Sequence, residues 1–412
     1  MKEPQNNDYF PLAEYQARIS RARQAMKANG MDAMLMSTEP NVLYFSGLLD
    51  GYWICTMHDD VQLVLITADP SLEPVLLLPN HLLQAAYTSC ISDVRCWSQF
   101  SGGKTKGSIG TIADTFADLK LTKGRVALEI GPHERPGMSL PFIEDLRAAL
   151  PGVQWVDSTP ALKQLLKIKS PLEIEKFRTA CQITCQALKV GLDAMKTGMS
   201  EKELTQVIAL EMARLSPDVG VSRPWFIFVH ATGRGPTAFD GVPTCYRFQK
   251  GDAVYIDLGF RYQGYGADMI RCAVFGPPST DVARYYNAAR DANMAAVRYI
   301  KPGIKGKDLY AYWTEQVRRL GFAHALEVLE KYDFDMLGHG IGVSTHELPL
   351  INSTCEEIFE PGMTMSIEGN VFDQMPFAQT LQALKNEENV VVTATGSEWL
   401  TPLPNDLYVI ER

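Results

Sequence analysis

The sequence predicts an α/β domain over residues 1–165 followed by an α+β domain over residues 166–412 that carries an internal repeat. Three observations carry this expectation. Short apolar runs alternate with helix-like segments up to about residue 165, a long amphipathic helix opens immediately afterwards, and one segment of the second part recurs at a constant offset.

In chain order, EYQARISRARQAMKANG reads as a helix, and DAMLMS, VQLVLITA, PVLLLP and RVALEIG read as strands with helical pieces between them. The stretch IKSPLEIEKFRTACQITCQALKVGLDAMKTG then begins a long amphipathic helix. Pro171 suits its first turn, where a missing N–H costs nothing. Further on, KTGMSEKEL at Lys196 to Leu204 recurs as KPGIKGKDL at Lys301 to Leu309, and the helices that follow share Arg214 with Arg319 and Leu215 with Leu320. The offset is 105 residues throughout, far beyond a solenoid period, so duplication of an α+β half-domain is the better reading. Ser200 and Glu203 have capping-box spacing at the first copy's helix start.

Composition excludes several classes of function. The formal net charge is -9 with both signs scattered along the chain, and no basic stripe offers a nucleic-acid surface. The start, MKEPQNNDYF, lacks the basic and apolar blocks of a secretion signal, and acids and prolines interrupt VQLVLITADPSLEPVLLLP, so neither export nor membrane insertion is expected. The 8 cysteines form no CxxC pair and fit reduced thiols in a cytoplasmic protein.

The chemistry concentrates in the last third. Asp257, Asp268, His339, Glu368 and Glu387 form an ordered series of four carboxylates and one imidazole, the donor set that two hard or borderline divalent cations want. Asp257 is expected at the end of the strand AVYIDLGF, with a turn from Arg261 to Gly266 and Asp268 on the returning strand, so that a hairpin brings the two carboxylates together. His339 sits in the glycine-flanked GHGIG, Glu368 follows the Pro-Gly turn of EPGMTMSIEGN, and Glu387 stands at the start of the apolar strand ENVVVT, one residue before it.

These stretches, together with KGDAVYIDLGFRYQGYGADMIR, GHGIGVSTHELPLI and LKNEENVVVT, resemble the pita-bread metallohydrolase family that contains methionine aminopeptidase, aminopeptidase P, prolidase and creatinase. The resemblance spans roughly the last 240 residues, and IKSPLEIE and the N-terminal domain align it with the aminopeptidase P, prolidase and creatinase branch. It implies a pita-bread catalytic domain with a pseudo-two-fold repeat, its halves roughly residues 166 to 270 and 271 to 400, and metals at their junction. It further implies that the five residues named above ligate two divalent metal ions, among manganese, cobalt, iron and zinc. Such ions activate water and polarise a carbonyl, so amide hydrolysis is the expected reaction class. Glu368 is expected to serve as general base as well as ligand, and His346, seven residues after His339, to stabilise the oxyanion or pass a proton. Relatives often pair so that one N-terminal domain walls the other subunit's site. A homodimer is therefore expected, with Trp53 and His58 of GLLDGYWICTMHDD as candidates for that wall.

Departures from the family pattern bear on substrate. The peptidases usually place a histidine eleven residues before the glycine of the KGD strand entry, and here that position is Asp240. A carboxylate there attracts a cation instead of acting as a neutral donor. His230, on a neighbouring strand, is a candidate to fill the vacant space. Gly369 replaces the proline common after the glutamate, and Lys385 and Asn386 replace an arginine-isoleucine pair, keeping the charge but losing the planar fork. The leading expectation is an Xaa-Pro aminopeptidase or prolidase-type hydrolase of a small peptide or amide. The alternatives are a creatinase-like C–N hydrolase or lyase of a small cationic compound, for which Asp240 becomes a recognition group, and a non-catalytic binding module, which four clustered carboxylates argue against.

Overall fold

The computed structural model describes residues 9–48, 60–98, 106–132, 134–216, 222–234, 241–372 and 384–412, and the chain divides into two compact units, Met1–Leu166 and Lys167–Arg412. Among the described residues no helix is long and apolar enough to cross a membrane.

In the first unit the elements run α1 (Leu12–Ala28), β1 (Ala33–Met36), α2 (Glu39–Ser46), β2 (Leu63–Thr67), β3 (Val75–Pro79), β4 (Asp93–Trp97), α3 (Gly107–Asp118), β5 (Arg125–Leu128), α4 (Leu140–Ala149), β6 (Gln154–Asp157) and α5 (Thr159–Leu166). Six strands form one mixed sheet in the order β4-β3-β2-β1-β5-β6. The four strands read from apolar runs are its centre, and β1, β2 and β3 are buried along their whole length. The two strands the sequence does not reveal, β4 and β6, are the edges, where half-exposed positions accept polar side chains and erase the apolar run. Buried Glu129, just past β5, accepts from Ser37 N (2.7 Å), Ser37 Oγ (2.6 Å), Thr38 Oγ1 (2.6 Å) and Asn41 Nδ2 (2.6 Å), and so fixes the entry to α2.

The second unit runs α6 (Pro171–Ala194), α7 (Glu201–Leu215), β7 (Arg223–Ala231), β8 (Ala253–Tyr262), β9 (Tyr265–Gly266), β10 (Met269–Phe275), α8 (Thr280–Tyr299), α9 (Gly306–Arg319), α10 (Ala323–Lys331), β11 (Gly338–Gly340), β12 (Glu347–Ile351), β13 (Thr364–Ile367), β14 (Glu388–Val392), β15 (Ser397–Trp399) and β16 (Tyr408–Ile410). One sheet has the order β16-β10-β8-β7, with β9 paired to β8, and the other β12-β11-β13-β14-β15. Helices α6 and α7 pack Leu188, Leu192, Leu204 and Ile208 on the first sheet, and α8 and α9 pack Ala292, Ala296, Leu309 and Trp313 on the second. Capping boxes start α6 (Ser170 with Glu173) and α7 (Ser200 with Glu203).

The repeat is real at the level of single hydrogen bonds. Gly198 and Gly303 share a positive φ (+84° and +90°), and their amides donate to Phe248 O (2.8 Å) and Phe359 O (2.9 Å). Ser200 and Lys305, also 105 positions apart, each form an isolated antiparallel bridge, to Arg247 and Ile358. The strand entries match too: Gly251 donates to Phe275 O and Gly362 to Val392 O, both at positive φ, where a side chain would be strained. The expected boundary between halves at 270 is corrected, because it falls inside β10. That strand pairs with β8 from Met269 to Val274, so the first half runs on to Phe275, and β16 returns to its edge.

Glu134 yields a test of the first unit. Burial first, then repulsion from Glu129 and Asp157, pushes its carboxyl up to about 7 from 4.5. The folded chain thus holds this proton more tightly than the unfolded one, and the stability it contributes, full below pH 4.5, is lost as pH rises to about 7. Glu134→Gln should raise the melting temperature at pH 8 and give a shrinking advantage toward pH 5. Thermal scans across this range check it, and an advantage independent of pH would contradict it.

Candidate metal centre and active-site cavity

Strand alternation builds the first wall of the site. Along β8, Val254, Ile256 and Leu258 face the helices, leaving Tyr255 and Asp257 on the opposite face, where they line a cavity. Asp257 is mid-strand and not at a strand end, since β8 continues to Tyr262. The expected hairpin stands, closed by Gln263 and Gly264 at φ +47° and +95°, a turn whose twist matches the flanking strands. It pairs Asp257 with Ile270 and places Asp268 just before β10.

The second sheet supplies the other wall. His339 lies on β11 opposite Ser366 of β13, and Gly338 is required beside it, because a Cβ there would lie 2.1 Å from Ser366 O. Glu368 follows β13 directly and Glu387 directly precedes β14. The sheets are tied at this seam: Glu387 N donates to Ile270 O (3.3 Å), and Asn389 both accepts from Asp268 N (2.9 Å) and donates to Asp268 O (2.6 Å).

The structure gathers the five candidates, with Asp257, Asp268, Glu368 and Glu387 lining one cavity and buried His339 lying against it. His339 Nε2 is 3.4 Å from Glu368 Oε1 and 3.9 Å from both Asp268 Oδ2 and Glu387 Oε1. Ligand atoms of Asp268, His339 and Glu387 lie within 4.8 Å of one another, as do those of His339, His346 and Glu368. Asp257 lines the same cavity, its Oδ2 accepting from Tyr255 OH (3.2 Å). The volume is about 400 Å³, and Phe226, Phe228, Phe334 and Met336 give it an apolar side. His346 is exposed at this cavity, its ring centroid 4.1 Å from that of His339.

The donor set fits a cation. His339 Nδ1 lies 2.9 Å from Gly340 O, a contact in which the nitrogen must donate, so the lone pair of the neutral imidazole lies on Nε2. Among the described residues that buried atom makes no hydrogen bond of good geometry, and it faces three carboxylates, the nearest being Glu368 at 3.4 Å. A lone pair aimed at anions is repulsive unless a positive ion sits between them. The carboxylates carry the same strain: burial, and then repulsion from their neighbours, holds Asp268 and Glu387 well above the usual range. Burial would also raise Glu368, but the Lys385 ammonium, 2.6 Å from its Oε2, holds it low.

Other sequence readings come out as follows. Asp240, Trp53 and His58 lie outside the described residues. His230 is buried opposite Tyr255, and the described lining of the cavity does not include it. Gly369 is explained by packing, since a Cβ would come within 2.5 Å of Trp313, whose indole donates to Asn293 Oδ1 (2.9 Å) while Asn293 Nδ2 donates to Gly369 O (3.0 Å). Sequence reading missed the aromatic wall, Phe226 and Phe228, although their two-residue spacing beside His230 in WFIFVH was a signal for one shared strand face. It also missed Asn389 and Ser366, whose Oγ donates to Glu387 Oε1 (2.5 Å), because single polar residues in apolar strands carry no pattern.

Residues 175–394 match the model of metallopeptidase family M24, and residues 18–165 match that of the creatinase/prolidase N-terminal domain. The chain is 26% identical to the Xaa-Pro dipeptidase of Pyrococcus horikoshii, covering 95% of this chain and 98% of that one. It is 30% identical to an uncharacterized peptidase of Staphylococcus aureus strain MW2, with 93% and 98% covered. Among solved structures, a dipeptidase from Mycobacterium ulcerans superposes with a TM-score of 0.78 at 24% identity, covering 98% of this chain and 100% of the other. The prolidase from Pyrococcus horikoshii does so with 0.74 at 23% identity, covering 95% and 99%.

Behind the cavity, Arg271 and Glu388 form an ion pair (3.0 Å) with both side chains 0% exposed, and Arg271 also donates to Glu387 O, Thr401 O and Leu403 O. Arg271→Met should therefore destabilise the second unit by about 3–5 kcal/mol, because Glu388 is left as an uncompensated buried charge. Adding Glu388→Gln should recover much of the loss. Denaturant unfolding of the single and double variants checks this, and equal losses in both would contradict it.

Proposed function

The chain belongs to metallopeptidase family M24, and we propose that it is a metal-dependent Xaa-Pro peptidase of the prolidase and aminopeptidase P type. The observation that carries this reading is the buried His339 Nε2, without a good hydrogen bond among the described residues, set against carboxylates that line a cavity with an apolar side and an exposed histidine. Asp257, Asp268, His339, Glu368 and Glu387 would hold two divalent ions, with manganese, cobalt, iron and zinc all compatible with oxygen-rich ligation. When bound, such ions supply an activated water and Lewis-acid polarisation of the scissile carbonyl.

The chain's own groups do the rest. Glu368, anchored through Oε2 to Lys385, keeps Oε1 toward the cavity to accept the proton of the attacking water. His346 at the cavity is placed to donate to the developing oxyanion or pass a proton. Phe226 and Phe228, stacked with centroids 5.3 Å apart, offer the flat apolar surface that a pyrrolidine ring fills. Xaa-Pro dipeptidase and prolidase relatives support the substrate class. The protein works, on this reading, as a cytoplasmic homodimer, in keeping with the free thiols among the described residues.

Asp240 favours a second reading, in which the same centre acts on a small cationic compound as a C–N hydrolase or lyase. Steady-state assays on Xaa-Pro dipeptides, a tripeptide and small cationic amides separate the two. The peptidase reading expects chelator-sensitive Xaa-Pro cleavage, and Asp240→His should raise it while lowering turnover of cationic compounds. Turnover of cationic amides with no Xaa-Pro cleavage would establish the second reading instead. His346→Ala should lower kcat by roughly a hundredfold with metal content unchanged. An unaltered kcat would remove His346 from the mechanism.

A further inference from the structure

Two stretches quoted from the sequence, IKSPLEIE and the ELPLI that follows His346, supply no group to the chemistry above, yet they meet in the fold. Lys169 Nζ lies 2.7 Å from Glu347 Oε2, with the two side chains only 4% and 6% exposed. The other carboxylate oxygen of Glu347 accepts from Ser344 N at 3.0 Å. The loop of residues 341–346 closes over this pair so tightly that a Cβ on Gly342 would lie 2.7 Å from Lys169 Cε and 2.9 Å from both Glu347 oxygens. Both ends of the pair are anchored. Lys169 N donates to Gly362 O (3.0 Å), while Glu347 begins β12 opposite Gly340.

His346 is the residue immediately before Glu347. The loop that carries it keeps Ile341 and Val343 buried, but Ser344, Thr345 and His346 are half-buried or exposed, so packing alone gives its last three residues little rigidity. A buried ion pair adds little net stability, because desolvation offsets most of the attraction, and its best use is to select one conformation. Misplacing a reacting group by about 1 Å costs on the order of a hundredfold in rate. We propose that Lys169 and Glu347 are positioning residues: their ion pair holds the 341–346 loop, and with it the His346 imidazole, at the cavity. The kinetic part of this inference rests on the role of His346 proposed above.

The test uses Lys169→Met combined with Glu347→Gln, which removes both charges together and keeps an acceptor for Ser344 N, so that no buried charge is left to unfold the chain. In the full-length metal-loaded enzyme this pair of changes should lower kcat on an Xaa-Pro dipeptide by about tenfold or more, with KM and metal content within about twofold. In a His346→Ala background the same changes should cause no further fall, because nothing remains to misplace. An equal fall in both backgrounds, or an unchanged kcat in the wild-type background, would overturn the proposal. Hydrogen exchange on the metal-free protein gives an independent reading, with faster exchange expected at the amides of residues 342–346 and little change elsewhere. If the wild type cleaves no Xaa-Pro substrate, the substrate reading fails, and unchanged exchange in this loop would then overturn the positioning role separately.

Discussion

Four buried carboxylates around one imidazole are the constraint on which the second unit depends. Like charges at such distances in a low-dielectric cavity raise one another's proton affinity, and among the described residues only one ammonium, that of Lys385, lines the cavity to relieve them. Lys385 is itself committed to Glu368 at 2.6 Å. The next layer outward is arranged to add no further net charge: Glu388 is matched by Arg271, and Glu387 takes a neutral donor from Ser366. The negative charge left over is what divalent cations would offset, so the same cluster that strains the fold defines the chemistry.

Duplication explains how a chain can place such a cluster at all. Each half enters its sheet through a glycine at positive φ, Gly251 or Gly362, and delivers an acid soon after, Asp257 or Glu368. The helices cover one face of each sheet, so the acids have only the opposite face to occupy. Where the sheets meet, Asn389 pins Asp268 by both its amide groups, converting two flexible strand ends into a fixed seam.

The five ligand candidates were legible as four acids and a histidine placed by short strands or turns, in the order of the family they resemble. The hairpin was legible from the apolar strand AVYIDLGF and the turn read after it, although the strand outlasts Asp257 because backbone pairing with β7 and β9 carries it to Tyr262. Edge strands β4 and β6 were not legible, since half-exposure removes the apolar pattern that burial imposes. Nor were contacts between residues far apart in sequence, such as Lys169 with Glu347 or Arg271 with Glu388, because a lone charge carries no mark of its partner. The half boundary was misplaced for a related reason: the pairing of β10 with β8 is settled by register and not by composition.

If this cluster is a cation site and not a set of polar residues that happen to meet, the folded chain must bind divalent ions. Counting the divalent ions bound to the folded wild-type chain tests it most directly, by equilibrium dialysis against manganese and elemental analysis, with His339→Ala dialysed alongside. About two ions per wild-type chain are expected, with one or both lost when the imidazole is removed. A folded wild-type chain that binds no transition metal, or a His339→Ala chain that binds the same number as the wild type, would contradict it.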